Sequence, residues 1–202
     1  MTAPVEVVDL EKWWTSDSGL RPVTFTAAAG ELIVVRGRSG SGKSTLLAIL
    51  AGWCRADGGH ARIAGKLLDG YEPSWEEVGV VPQVLALAPE LTVLENIADA
   101  GAATRPDRVR SLVALLDLVE VGHRPPTAIS IGQQQRAAVA RAMASSPLVL
   151  LADEPTSHQD PDHVQRVIAA LTHAAESGSA VLVASHDPWV AGVATRVVDL
   201  EP

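Results

Sequence analysis

The chain has 202 residues, 47% of them hydrophobic, enough for one domain with a buried core and too apolar for a disordered tail. Its formal charge of −8 argues against the broad basic surface of a nucleic-acid binder, and its single cysteine, Cys54, excludes an intrachain disulfide. No apolar run approaches the roughly 18 residues of a membrane span, and the acidic start MTAPVEVVDLEKWW has no secretory apolar core, so a soluble, cytosolic globular protein is expected.

In chain order, the first short apolar run, at 32–35, reads as a buried strand. Residues 44–53 are apolar almost all round and predict a fully buried helix. A second strand is expected at 78–81. The rhythm then breaks: 84–146 is mostly helical and far longer than a single strand-to-helix connection, so it reads as an inserted helical lobe. Within it, Val109, Leu112, Val113, Leu116 and Val119 give 107–121 an amphipathic spacing, and Ala-rich 133–145 predicts a helix closed by Pro147. Strands at 148–151, 180–184 and 196–200 follow, with a helix at 162–176 stopped by Gly178. Strands alternating with helices predict an α/β fold with a mainly parallel sheet flanked by helices. Nothing divides the chain into independent domains, so 1–202 is read as one, with the sequence stopping at Pro202 just after its last strand.

The segment GRSGSGKST, 37–45, follows the first strand and opens the buried helix. Gly37, Gly40 and Gly42 allow a tight turn whose N–H groups point at an anion, beside Arg38, Ser39 and Ser41. Lys43 supplies a point charge for β- and γ-phosphates, Ser44 a hydroxyl for Mg²⁺, and Thr45 completes the motif. Kinases, GTPases, helicases and transporters share such a loop. LVLLADEP, 148–155, is an apolar strand ending in two carboxylates: Asp153 is placed to hold Mg²⁺, and Glu154 to act as general base. His186, after the strand at 180–184, is placed to reach a γ-phosphate; Gln83, after the strand at 78–81, could contact Mg²⁺ and water. His60, His123, His158, His163 and His173 lack that placement, most of them reading as ordinary solvent or turn histidines, and Cys54 reads as a small packed thiol.

The segment ISIGQQQR, 129–136, lies just before the metal strand. With the phosphate loop, VPQ at 81–83, LTVLENI at 91–97, LADEPTS at 151–157, SHQD at 157–160 and ASHD at 184–187, the ordered set resembles the nucleotide-binding subunits of the ATP-binding cassette (ABC) family over nearly the whole chain. The resemblance implies a phosphate-loop NTPase with an N-terminal antiparallel β part, a RecA-like core at 1–83 and 147–202, and a helical signature subdomain at 84–146. It implies ATP and Mg²⁺ as ligands, and a head-to-tail dimer, homo- or heterodimeric, in which Ser130, Gly132 and Gln133 of one chain meet the ATP of the other. Asp160 would contact the partner, and an aromatic of the pair Trp13 and Trp14, with Trp14 favoured, would stack on adenine.

The sequence departs from the family's LSGGQ signature at Ile131, a β-branched residue where the family has glycine, and SHQD departs from the commoner ending Leu-Asp. Both departures point toward a heterodimer with one weak site. The family resemblance makes the chain the motor of a membrane transporter, peripheral on the cytoplasmic face, with separate transmembrane subunits. Its compactness and LADEPTS resemble the small cassettes of lipoprotein-release and macrolide-efflux systems, which implies export. The alternatives are a soluble non-transport ABC ATPase, which usually carries coiled coils, zinc modules or a second cassette, and a catalytically weak regulatory subunit, against which Glu154 and His186 stand. The apolar stretch 84–91 reads either as a docking strip for the membrane subunit or as filling of the lobe's own core.

Overall fold

The computed structural model of the chain describes residues 3–16, 18–100 and 105–200; residues 101–104 of the expected lobe and the expected end at Pro202 lie outside the described residues. In chain order the elements are β1 (Val5–Thr15), β2 (Ser18–Ala27), β3 (Leu32–Arg36), α1 (Lys43–Leu50), β4 (Gly58–Ile63), β5 (Lys66–Leu67), β6 (Val78–Val81), α2 (Val93–Ala98), α3 (Pro106–Leu115), α4 (Ile131–Met143), β7 (Val149–Asp153), α5 (Pro161–Glu176), β8 (Ala180–Ala184), α6 (Pro188–Gly192) and β9 (Arg196–Asp199). The order β6-β7-β8-β3-β9 makes one sheet, parallel throughout. The order β2-β1-β4-β5 makes a second, antiparallel sheet. This is the phosphate-loop α/β architecture expected, with its antiparallel N-terminal part.

Alternation along the strands separates two cores. Leu32 and Val34 of β3, Leu150 and Ala152 of β7, and Val181 and Val183 of β8 face the helical side. There they join α5 and the helices between β6 and β7 in one apolar cluster. Ile33 and Val35, Val149 and Leu151, and Leu182 and Ala184 face the other way, onto α1 and the antiparallel sheet. A strand covered on both faces must be apolar at every position, and this explains why these strands read as continuous runs.

Helix ends depart from the sequence expectation where a left-handed residue intervenes. The first helix stops at Leu50, not at residue 53: Gly52 exits at φ 77 and Trp53 is solvent-exposed. Thus α1 is not buried all round; Ser44 at its start is exposed. The helix expected over 107–121 ends at Leu115, because Asp117 turns at φ 54 and Val119 begins a separate 3-10 turn, Val119–Val121. The predicted stripe holds for Val109, Leu112, Val113 and Leu116, all buried, and fails at exposed Val119. The signature helix starts two residues early, at Ile131, because Ser130 and Gln133 form a reciprocal capping box. A similar box between Thr92 and Glu95 starts α2, a helix too short to show periodicity.

The stretch 84–91 divides its residues between the two readings: Leu85 and Leu87 pack against the core, while Val84 and Ala86 are exposed. Buried Asn96 holds it, accepting from Ala88 N at 2.7 Å and donating to Ala88 O, Leu91 O and Thr92 O. Cys54 is a half-buried thiol packed against the second core, as expected.

Just before β6, the Glu77 carboxylate accepts from Lys66 Nζ at 2.7 Å, from Tyr71 Oη, and from Ser74 N at 3.0 Å. Lys66 above all, then Tyr71 and Ser74, draws the Glu77 carboxyl from 4.5 down to about 2. A lowered carboxyl stabilises the fold above its ordinary pKa and loses that contribution as pH falls toward the folded value. Denaturant melts of Glu77→Gln between pH 7 and pH 2 are therefore expected to show a smaller loss of stability below about pH 4.5 than wild type. An equal loss in both proteins would contradict this.

Candidate active site

Parallel pairing puts the C-terminal ends of four strands on one edge, where open α/β sheets bind ligands. Asp153 pairs with Ala184, Ala184 with Val35, and Ala152 with Val81. The loop after β3, Gln83 after β6, Asp153 and Glu154 at the end of β7, and His186 after β8 therefore converge. A cavity of about 600 Å³ opens between them, and Trp14, Lys43, Gln83, Glu154 and His186 are among its walls.

The glycine-rich loop needs its glycines for stated reasons. Gly42 has φ 92, and a Cβ there would lie 2.6 Å from Leu20 Cα. A Cβ on Gly37 would lie 2.4 Å from Ser41 Oγ. The start of α1 has no side-chain cap, so its first-turn amides are free to meet an anion. Lys43 Nζ donates to Gly37 O at 2.9 Å and to Arg38 O at 3.2 Å, which holds the ammonium over the loop. Gly37, Ser39, Gly40, Gly42, Ser44 and Thr45 also line the cavity. Ser41 is buried with its hydroxyl oxygen unpaired, and Arg38 is exposed; neither lines it. Of the tryptophan pair, Trp14 lines the cavity, 58% exposed, its indole donating to Thr45 Oγ1 at 3.1 Å with Lys12 Nζ 5.3 Å from the ring centre. Trp13 donates instead to Glu11 Oε2 at 3.2 Å.

Asp153 is buried, and burial pushes its carboxyl up. The hydrogen bond with Ser44 and the charge of Lys43 oppose that shift, while Glu154 adds to it. A buried carboxylate beside a hydroxyl is a fitting donor pair for a hard divalent cation such as Mg²⁺, whose charge would relieve the burial penalty. No group of three or more His, Cys, Asp or Glu fit for a metal occurs among the described residues. Such a cation would then draw its other ligands from phosphate oxygens, water and the Gln83 amide.

Glu154 sits at φ 48, a conformation costing a non-glycine residue about 1–3 kcal/mol. Its N–H donates to Ala184 O at 2.9 Å, which fixes the residue to the end of β8. One carboxylate oxygen faces His186 Nδ1 at 2.9 Å, and the other accepts from Ser185 Oγ at 3.3 Å. The His186 side chain is 85% exposed at the cavity wall. A fixed carboxylate paired with an exposed imidazole is suited to taking a proton from water.

The remaining expected residues are not brought to this cavity. Ser130 and Gln133 cap α4 reciprocally, at 2.9 and 3.2 Å. Gly132 packs where a Cβ would lie 3.1 Å from His158 O. Asp160 caps α5, accepting from His163 N at 3.1 Å. Conversely, Ser157 and His158 also line the cavity: His158 lies in the turn after β7, at φ 61, as a turn histidine was expected to, and that turn forms part of the wall. Its place right after LADEPTS was the available signal. Asp187, the last residue of ASHD, has a further role. It accepts from Thr156 Oγ1 at 2.9 Å and caps α6, tying the loop after β8 to that after β7.

The sequence profile described as ABC transporter matches residues 20–157. An uncharacterized ABC transporter ATP-binding protein of Mycobacterium tuberculosis is 37% identical over 208 aligned residues, covering 95% of this chain and 62% of its own length. A macrolide export ATP-binding/permease protein of Chromobacterium violaceum is 36% identical over 193, covering 90% of this chain and 30% of its own. The chain thus spans less than two thirds of each of these relatives. Among solved structures, a dimeric post-hydrolysis state of the ATP-binding cassette MJ0796 bound to ADP and Pi superposes with a TM-score of 0.88 at 28% identity, over 97% of this chain and 94% of that one. Lys43→Ala is expected to lower MgATP affinity or turnover by roughly 10²-fold or more, read by calorimetric titration and phosphate release. Wild-type values for both would remove the loop from the site.

Proposed function

The chain belongs to the ABC transporter family, and from that premise we propose that it is the ATP-hydrolysing motor of a membrane transporter, dimerising head-to-tail around MgATP. The observation that supports this most is the placement of Glu154, fixed to Ala184 and paired with His186, across the same cavity as Lys43 and the Ser44–Asp153 pair. In this reading Lys43 and the amides of the glycine-rich loop bind the phosphates, and Trp14 stacks on adenine. Mg²⁺, when bound, would neutralise phosphate charge and help orient the β- and γ-oxygens. Ser44 and Asp153 would hold it, with Gln83 beside them. Glu154 takes the proton of the attacking water, and His186 orients Glu154 and donates toward the γ-phosphate.

Ser130 and Ile131 are exposed and lie off the chain's own cavity, so a second subunit is needed to bring a signature to the nucleotide. That subunit is a copy of this chain or a related cassette; Ile131, 51% exposed at the first helical position of α4, adds bulk there and favours a heterodimer with one weaker site. Asp160 would reach the interface only with the part of its carboxylate not engaged by α5. No helix among the described residues is long and apolar enough to cross a membrane, and the membrane path is assigned to separate subunits. Docking of those subunits would place the motor on the cytoplasmic face, with the helical segment 84–146 as the signature subdomain between 1–83 and 147–202. Export is favoured by the macrolide export relative.

Glu154→Gln is expected to retain MgATP binding and lose turnover by roughly 10²-fold or more, and a shift from monomer to dimer on MgATP in light scattering would show that two copies of this chain suffice. Unchanged turnover would move the general base elsewhere. A variant that binds ATP and stays monomeric would contradict the homodimer and leave the heterodimer.

A further inference from the structure

His163, in the first turn of α5, stands between two carboxylates from distant parts of the chain. Its Nδ1 lies 2.6 Å from Asp160 Oδ2, and its Nε2 lies 3.4 Å from Asp117 Oδ2. Asp160 ends the loop that leaves β7 and carries Glu154. Asp117 belongs to the helical segment, at the left-handed turn that ends α3. Ionised carboxylates only accept hydrogen bonds, and a neutral imidazole donates from one nitrogen alone. Both contacts are satisfied together only by the imidazolium. In the neutral ring, one nitrogen lone pair faces a carboxylate oxygen.

We propose that His163 is a positioning residue: protonated, it is a strut that ties the Glu154-bearing loop and the start of α5 to the helical segment at Asp117. The neighbouring elements make that junction responsive. Arg136 of α4, itself buried, donates through Nε to Leu116 O at 2.8 Å and is attracted by both Asp117 and Asp160. Gly132, one turn earlier on α4, packs against the carbonyl of His158. The strut, Arg136 and the Gly132 contact therefore hold three elements together: the turn after α3, the start of α4 and the loop after β7. Asp117, Asp160 and Asp162 favour the charged ring; Arg136, Arg166 and the positive end of the α5 dipole oppose it. The ring is 28% exposed and its partners more so; the pair is partly screened, and its effect is on position rather than on global stability.

Hydrogen exchange of the nucleotide-free full chain between pH 5.5 and 8, corrected for intrinsic rates, tests this without any assumption about catalysis. Peptides over 115–120 and 156–166 are compared in wild type, His163→Gln and Asp117→Asn; asparagine tolerates the left-handed turn, so this second variant keeps the backbone. In wild type, protection of both segments is expected to fall about two- to fivefold from the acid to the alkaline end of that interval, the size of a partly exposed charge pair. His163→Gln should lose that dependence in both segments and Asp117→Asn should lose it at 115–120, where its own contact is removed, while β8 stays unchanged in all three proteins. The same pH dependence persisting at 115–120 in either variant, or no dependence in wild type, overturns the proposal. The consequence for activity rests on the ATPase reading: the change of kcat between pH 5.5 and 8 should contain a component that His163→Gln lacks, with KM unmoved. If the chain proved not to turn over ATP, that reading would fail while the exchange result still decided the strut.

Discussion

The register of the parallel sheet is the constraint on which the site depends. Residues far apart in the chain become chemically useful because Val35, Ala184 and Asp153 pair in one row, with Ala152 and Val81 beside them. A slip of one residue in any of these strands would exchange its two apolar faces between separate cores. The two packed faces therefore lock the register, and the locked register sets where Lys43, Asp153, Glu154 and His186 meet. Burial on both sides is a structural requirement and a functional one at once.

At that edge, groups are held in states they would not adopt alone. Glu154 keeps a left-handed backbone because its N–H is bound to Ala184 O and its carboxylate to Ser185 and His186. Asp153 is buried with only Ser44 and Lys43 to offset its desolvation and the charge of Glu154. The start of α1 is left without a side-chain cap. Buried Asp153 and the uncapped helix start are the groups that a divalent cation and a phosphate would relieve, so the cost of holding them there would contribute to binding. The chain belongs to the ABC transporter family and is similar to a cassette whose dimer is bound to ADP and Pi.

Much of this was legible in the sequence because the strands are short and buried on both faces, and because each carries its functional residue just past its end. The phosphate loop is legible from its glycine and lysine motif after a strand, and with that loop upstream Asp153, Glu154 and His186 become candidates from their places just past strand ends. Helix limits were less legible: they are set by single left-handed residues, Gly52 and Asp117, and by capping boxes at Ser130 and Thr92, which a search for apolar spacing passes over. The approach of the His158 turn to the cavity is illegible for a similar reason, since it depends on a positive φ rather than on a pattern. The strands of the antiparallel sheet were anticipated from family resemblance rather than from periodicity, because β1 and β2 are interrupted by register shifts that disturb simple alternation.

The most direct test is whether buried Asp153, beside Ser44, makes nucleotide binding depend on the metal. ATP affinity should be measured by titration calorimetry with Mg²⁺ and with EDTA, for wild type and for Asp153→Asn. The account predicts that Mg²⁺ tightens wild-type binding by roughly tenfold or more and that Asp153→Asn abolishes the difference. Metal dependence that persists in full in the variant would contradict it.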